Sequence, residues 1–328
     1  MIWMRFQFGP DIGMGHAVRS LALAKALTSS GQAVGLMLDS DAGELEGVGD
    51  LPVLQLDPGD NLPAEGHIIF DMSHAGARDN IPAWVKYVQK AGNGAVVVDG
   101  LGPDAYIEGV KADVVLTPYL MSEAARQRAA KTWLSGPQFS ILSDEYAQEP
   151  SKLKSRPNVV MISIGGADPW ALTETALEAA LNTTSWPRFE VKVVAGPQLS
   201  TARRTHLTTQ CKKSDVELLD APDSLRDLLG MSAVAVLGPG LTKYEAAACN
   251  TPAVILAPDA DTLAINMPFA EAGLASVMDA SARNFSGQLG AAIASQATKR
   301  RSSWTGRALI DGKGAARAAE AIIEALGE

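Results

Sequence analysis

The chain has 328 residues, 47% of them hydrophobic and 20% charged, and its 28 Lys plus Arg against 37 Asp plus Glu give a formal net charge of −9. That length exceeds one ordinary core and suits two domains. The acidic balance, with no basic face, argues against nucleic acid as a partner. Cys211 and Cys249 make no disulfide framework, the four histidines show no zinc-ligand spacing, and the apolar runs are strand-sized. Arg5 and Gln7 interrupt the stretch that a signal peptide would keep apolar. The expectation is a cytoplasmic protein with no metal and no integral membrane segment.

Residues 2–8 are mostly apolar and predict a strand; Ile12-Gly13-Met14-Gly15-His16 follows, and Val18, Leu21, Leu23 and Leu27 then recur at helical spacing. The order is strand, glycine-rich turn, helix. Backbone N–H groups in the first turn of a helix are unpaired and suit phosphate, and His16 is placed there to accept a proton. Plain turn chemistry with a capping histidine accounts for the same spacing.

Further along, short apolar runs at 34–38, 53–56, 67–71, 95–99, 113–117 and 132–135 predict strands, with a helix over 81–91. The polar segment 143–157, bounded by prolines, reads as a linker. A second alternation follows, with strands at 158–164, 189–194, 216–219, 233–237, 253–256 and 275–277 and helices at 170–181, 224–229, 242–249 and 264–272. The fold expected is α/β, two doubly wound Rossmann-like halves over 1–150 and 151–328, with an Ala-rich amphipathic helix over 314–326 packing back on one of them. Ligands in such sheets sit beyond the carboxyl ends of the strands, so the expected site is a crevice between the halves.

Two glycine-rich turns in the second half fit that expectation. Gly165-Gly166-Ala167-Asp168-Pro169 ends a strand and opens a helix; it suits phosphate, or it is a tight turn whose Asp168 caps the helix begun by Pro169. Gly238-Pro239-Gly240-Leu241-Thr242-Lys243-Tyr244-Glu245 offers backbone N–H groups, the Thr242 hydroxyl and the Glu245 carboxylate, which is fit to accept both hydroxyls of a ribose. Glu245 is equally suited to the start of a helix. Arg19, one turn after His16, reaches either a phosphate or an interdomain ion pair.

Taken in order, Gly13-x-Gly15-His16 with Arg19-Ser20-Leu21-Ala22, Leu134 to Leu142, Gly165 to Pro169, the Gly240 to Glu245 turn and Asp311 to Arg317 resemble a known family across nearly the whole chain. They are similar to the UDP-sugar hydrolases of pseudaminic acid biosynthesis and the related spore-coat polysaccharide proteins, of the GT-B class; the Thr-x-x-Glu turn is shared with the GlcNAc transferase of peptidoglycan synthesis. The resemblance implies water attack on the anomeric carbon of a UDP-linked amino sugar, with inversion and departure of UDP, in nonulosonic acid or surface-glycan biosynthesis. His16 would be the base. Gly13, Gly15, Arg19, Asp71, Gly165, Gly166, Asp168, Gly238, Gly240, Leu241, Thr242 and Glu245 would line the substrate, with no cofactor required.

Four positions depart from the family pattern: Gln7 where an acid is usual, Met72-Ser73-His74 where a tyrosine is common, Ser143 in place of Arg, and Asp261-Thr262 in place of Asn-Gln. All bear on the sugar-facing side, and His74 there is a candidate second acid or base. The alternatives they raise are a GT-B glycosyltransferase acting on a glycan or protein acceptor, and a non-catalytic nucleotide-sugar-binding subunit.

Overall fold

Apolar runs closed by Gly, Pro or Asp make strands, and the longer segments between them, apolar on one stripe, make helices. The computed structural model describes residues 1–9, 12–40, 45–57, 60–72, 79–98, 110–121, 130–148, 158–183, 189–299 and 305–327. Ser73, His74, the end of the 95–99 strand and residues 149–157 of the linker lie outside them.

In chain order the strands are β1 Ile2–Phe6, β2 Val34–Asp39, β3 Val53–Leu56, β4 His67–Asp71, β5 Ala95–Val98, β6 Ala112–Thr117, β7 Ala130–Ser135, β8 Val159–Ser163, β9 Glu190–Ala195, β10 Glu217–Asp220, β11 Val234–Leu237, β12 Ala253–Ala257 and β13 Ala275–Asp279. The helices are α1 Gly15–Ser29, α2 Ile81–Lys90, α3 Leu172–Leu181, α4 Thr201–Lys213, α5 Arg226–Met231, α6 Thr242–Ala248, α7 Ala260–Glu271, α8 Phe285–Ala297, α9 Gly306–Leu309 and α10 Gly314–Leu326.

The chain divides into two units, Met1–Asp144 with Gly312–Glu328, and Glu145–Asp311. The tail beyond Asp311, whose helix the sequence expects to pack back on one of the halves, thus groups with the first unit. Each unit holds one sheet, ordered β3-β2-β1-β4-β5-β6-β7 in the first and β10-β9-β8-β11-β12-β13 in the second. The pairings within both sheets are parallel. Parallel sheets need cover on both faces. In the first unit Leu23 and Leu27 of α1 and Ala318 and Ile322 of α10 share one apolar cluster with β1 and β2. A second cluster joins Ile81, Val85 and Val88 of α2 to β4 and β5, with Trp84 stacked on Phe70 at 5.9 Å. In the second unit Phe285, Leu289 and Ile293 of α8 pack with Val160, Val236 and Val254.

Strand order fixes where each unit binds ligands. The chain leaves β1 for β2 on one side and returns on the other side as β4; it likewise leaves β8 for β9 and returns as β11. Each reversal parts the loops at the carboxyl ends of two neighbouring strands, which is where open α/β sheets take their ligands. His16 follows β1, and Asp71 ends β4. Gly165 follows β8, and Gly238 follows β11.

Candidate functional site

In the first unit the β1–α1 connection turns tightly: Ile12 and Gly13 both donate to the Gly9 carbonyl, and Gly13 has φ +87°, a conformation that glycine adopts without strain. Met14, at the N-cap of α1, supplies no side-chain hydrogen bond to the helix amides. His16, Arg19 and Ser20 stand three and four residues apart, so they share one face of α1. That face meets the end of β4, where Asp71 is paired in register with Phe6 of β1.

Asp71 is only 1% exposed, and four donors close around its carboxylate. His16 Nδ1 lies 2.6 Å from Oδ1, Arg19 Nε donates to Oδ2 at 2.6 Å and Ser20 Oγ to Oδ2 at 3.0 Å, and Arg19 Nη2 also donates to Oδ1. Burial acts to raise this carboxyl, but the Arg19 guanidinium, then His16, and their hydrogen bonds outweigh it and hold Asp71 well below the usual carboxylate range. Burial pulls the Arg19 guanidinium down; Asp71 and Tyr119 more than restore it, so it stays charged. Arg19 Nη1 donates to the Tyr119 hydroxyl, two residues beyond β6, and the guanidinium carbon sits 5.7 Å from the Tyr119 ring centroid.

These contacts select the histidine tautomer. Arg19 Nη2 also approaches His16 Nδ1, at 2.9 Å, but a guanidinium only donates and a carboxylate only accepts. The ring nitrogen serves one of the two. At 2.6 Å from an oxygen that only accepts, a bare Nδ1 would set lone pair against lone pair, so we assign the Nδ1 proton to the charge-assisted bond with Asp71, which in the neutral ring leaves the lone pair on Nε2. Arg19 is thus engaged by Asp71 inside its own unit. Sequence reasoning missed Ser20 and Tyr119. The helical spacing of Ser20 after His16 was legible; nothing local marks Tyr119, 100 positions from Arg19.

The second unit builds its carboxyl edge from backbone. Ser163 of β8 is in register with Leu237 of β11, so the two glycine turns leave adjacent strand ends side by side. A Cβ at Gly238 would collide with the Ile164 carbonyl, and one at Gly196, after β9, with the carbonyls of Gly165 and Gly166. Three turns therefore meet main chain to main chain. Asp168 is committed to helix α3. Its carboxylate accepts from the Leu172 and Thr173 amides, each at 3.0 Å, from the Thr173 hydroxyl at 2.7 Å and from Arg203 Nη2 at 3.0 Å. It caps a helix that begins at Leu172, not at Pro169, and the residue holds φ +44° to do so.

Gly240, Leu241 and Thr242 lead into α6, with Leu241 at its N-cap. Glu245 accepts from the hydroxyls of Tyr146 and Thr242. Burial, and then the like charge of Glu145, push its carboxyl up to about 7, although those two hydrogen bonds pull the other way. Tyr146, a buried residue in the 3-10 turn Asp144–Ala147, is raised above the usual phenol range, by burial first and then by Glu245. Arg307 Nη1 fixes this segment by donating to the carbonyls of Tyr146 at 2.9 Å and Ala248 at 2.8 Å, and Ser224 Oγ donates to Glu145 at 2.8 Å. Tyr146 and Glu145 fall in the segment whose composition reads as linker; their role depends on a contact about 100 positions away in sequence. Of the departing residues, Gln7 Nε2 donates to Asp39 at 2.8 Å, Met72 is buried, and Asp261 and Thr262 fall in the first turn of α7, where Asp259 caps the Thr262 amide.

Among the described residues no group of three His, Cys, Asp or Glu side chains gathers as metal ligands, and no helix is long and apolar enough to cross a membrane.

Two parallel α/β units of this kind are the GT-B fold, and solved structures with that architecture match nearly the whole chain. MurG of Acinetobacter baumannii is 15% identical with a TM-score of 0.63, covering 98% of this chain and 99% of its own. Spinosyn forosaminyltransferase SpnP is 13% identical with a TM-score of 0.65 over 100% of this chain and 99% of its own. The UDP-GlcNAc 2-epimerase of Methanocaldococcus jannaschii is 10% identical at 0.59, over 98% and 99%. At these identities the likeness establishes the fold, which hosts more than one reaction. No protein-family model matches the chain. Uncharacterized protein MJ1062 of Methanocaldococcus jannaschii is 27% identical over 157 residues, which is 44% of this chain and 32% of that protein, so the match spans about a third of the relative's length.

Proposed function

We propose that the chain is a glycosyltransferase that uses a UDP-linked sugar and that His16 is its general base. The observation that carries this reading is the His16–Asp71 pair at the β1/β4 reversal, with Nδ1 bound to a buried, ionised carboxylate. An acceptor hydroxyl gives its proton to Nε2 as its oxygen bonds to the anomeric carbon. The bond from that carbon to the diphosphate oxygen breaks, and its electron pair leaves with UDP. Asp71 fixes the ring and stabilises the imidazolium that forms, as the acid of a histidine–carboxylate pair does.

The second unit is read as the nucleotide binder. Glu245 accepts from ribose hydroxyls, exchanging its bonds from Tyr146 and Thr242, and backbone N–H groups of the turns at Gly165-Gly166 and Gly238–Gly240 meet the diphosphate, whose charge grows as the bond breaks. The Leu172 and Thr173 amides stay with Asp168, so the glycine turn, not the helix end, serves phosphate. Spinosyn forosaminyltransferase SpnP, a fold neighbour named as a transferase, favours transfer over hydrolysis. The order of motifs along the sequence favours the second reading, hydrolysis of a UDP-linked amino sugar, in which water takes the acceptor's place at the same base.

One experiment decides. The purified protein is titrated with UDP and then incubated with UDP-linked sugars, alone and with candidate glycan acceptors, while NMR follows the anomeric signals. UDP release that requires an acceptor supports transfer; free sugar formed by the protein alone gives hydrolysis. Absence of UDP binding removes both.

A further inference from the structure

Lys243, the second residue of α6, is only 5% exposed, and among the described residues no carboxylate pairs with it. Its Nζ donates to the Pro239 carbonyl at 2.5 Å and lies 5.4 Å from the ring centroids of both Tyr244 and Phe269. Those rings pack edge to face at 4.9 Å, so the ammonium is walled by aromatic carbon. An ammonium carries three donors, and among the described residues a single carbonyl is its hydrogen-bond partner. Lysine is almost never this buried unless paired with an opposite charge, because removing a charge from water is costly. Burial accordingly pushes Lys243 down to about 7.

Its location gives that unpaired cation a use. Pro239 lies in the turn after β11, and the neighbouring Gly238 packs against the Ile164 carbonyl at the end of β8. The ammonium is therefore bonded to one of the two glycine turns that leave the β8/β11 reversal, the place where this sheet takes ligands. We propose that Lys243 is a phosphate-binding residue whose counter-ion arrives with the ligand: Nζ exchanges the Pro239 carbonyl for the diphosphate of a nucleotide seated on the Gly238–Gly240 turn. This rests on the nucleotide-sugar reading above. It adds a charged phosphate ligand to a site otherwise made of backbone N–H groups, and it explains why a buried methylene chain ends in an ammonium rather than a methyl.

The test compares UDP with uridine, which shares base and ribose but carries no phosphate. Lys243→Met keeps most of the length and an apolar stem within the aromatic walls and removes the charge. By calorimetric titration the wild type binds UDP more tightly than uridine. In Lys243→Met the UDP affinity falls tenfold or more, uridine affinity stays within twofold, and the unliganded protein melts at the same temperature or higher. An unchanged UDP affinity overturns the proposal, as does an equal loss for UDP and uridine, which is the signature of a lysine that merely staples the turn. Lys243→Gln, polar and uncharged, repeats the measurement should the methionine variant fail to fold. If the wild type binds uridine and UDP equally well, the phosphate role is wrong while a nucleoside site stands; if it binds neither, the nucleotide reading fails and this inference with it.

Discussion

At the carboxyl edge of the first sheet Asp71 and Arg19 stand as opposite charges in contact, whereas at the same edge of the second sheet Glu245 and Lys243 are buried without opposite charges among the described residues. The consequences for ionisation run in opposite directions. Asp71 is held below its ordinary range and stays charged; Glu245 is raised to about 7 and Lys243 lowered to about 7, both towards neutrality. A site that carries its own counter-charges is set before any ligand arrives, as a proton-transfer site must be. A site that lacks them gains its charge balance from what binds, which suits recognition of an anion.

The largest effect that would break this division of labour is on rate. His16→Ala should lower kcat by about 10²–10⁴, the usual worth of a general base, while UDP affinity stays unchanged; turnover at the wild-type rate would move the chemistry out of the first unit. Next comes Asp71→Asn, which leaves the Arg19 guanidinium buried without its partner. Urea unfolding should show a loss of about 3–5 kcal/mol, as expected when one member of a buried pair is removed. A loss under about 1 kcal/mol would mean the pair is solvated like a surface bridge.

Asp168→Ala sharpens the second half of the comparison. As a helix cap, Asp168 should cost about 1–2 kcal/mol of stability on removal, with UDP affinity unaltered. A tenfold loss of UDP affinity would instead make it a ligand. The smallest effect is on pH dependence. The Asp71 contribution is complete above its ordinary value of 3.8 and is lost as pH falls through its lowered folded value. For Glu245, raised from 4.5 to about 7, the contribution is complete below 4.5 and is lost as pH rises through about 7. Lys243, lowered from 10.5 to about 7, contributes fully above 10.5 and loses that contribution as pH falls through about 7. Without nucleotide, the second unit should therefore have a stability minimum near neutrality that the first unit lacks. Hydrogen-exchange protection of β8, β11 and α6 against that of β1 and β4, followed from pH 5 to 9, reads the difference; parallel profiles would count against it.

Legibility differed by element. β3 and β4 lie where the sequence places them, because their apolar runs end sharply in polar residues. Helix α4 went unread: only Leu207 and Cys211 are buried along it, so it carries no apolar stripe, and Ser200 at its N-cap is the one local sign. Helix α8 does place Phe285, Leu289 and Ile293 at four-residue spacing, but the intervening Gly287 and Gly290 weaken its propensity. For α7 the predicted start was 264 and the observed one is Ala260, set by the Asp259 cap.

Sequence by itself determined the alternation of strands and helices, hence the two α/β sheets, and it marked His16 and the glycine turns, because turn chemistry and helical spacing are local properties. It also put His16, Arg19 and Ser20 on one helical face. What that face meets was decided only in three dimensions: strand order sets β4 beside β1, and this brings Asp71 to His16 across 55 positions and Tyr119 to Arg19 across 100. The same holds for Tyr146 against Glu245 and for the aromatic walls around Lys243. Ionisation and tautomer depend on burial and on neighbours distant in the chain, and a sequence carries neither until the sheet has closed.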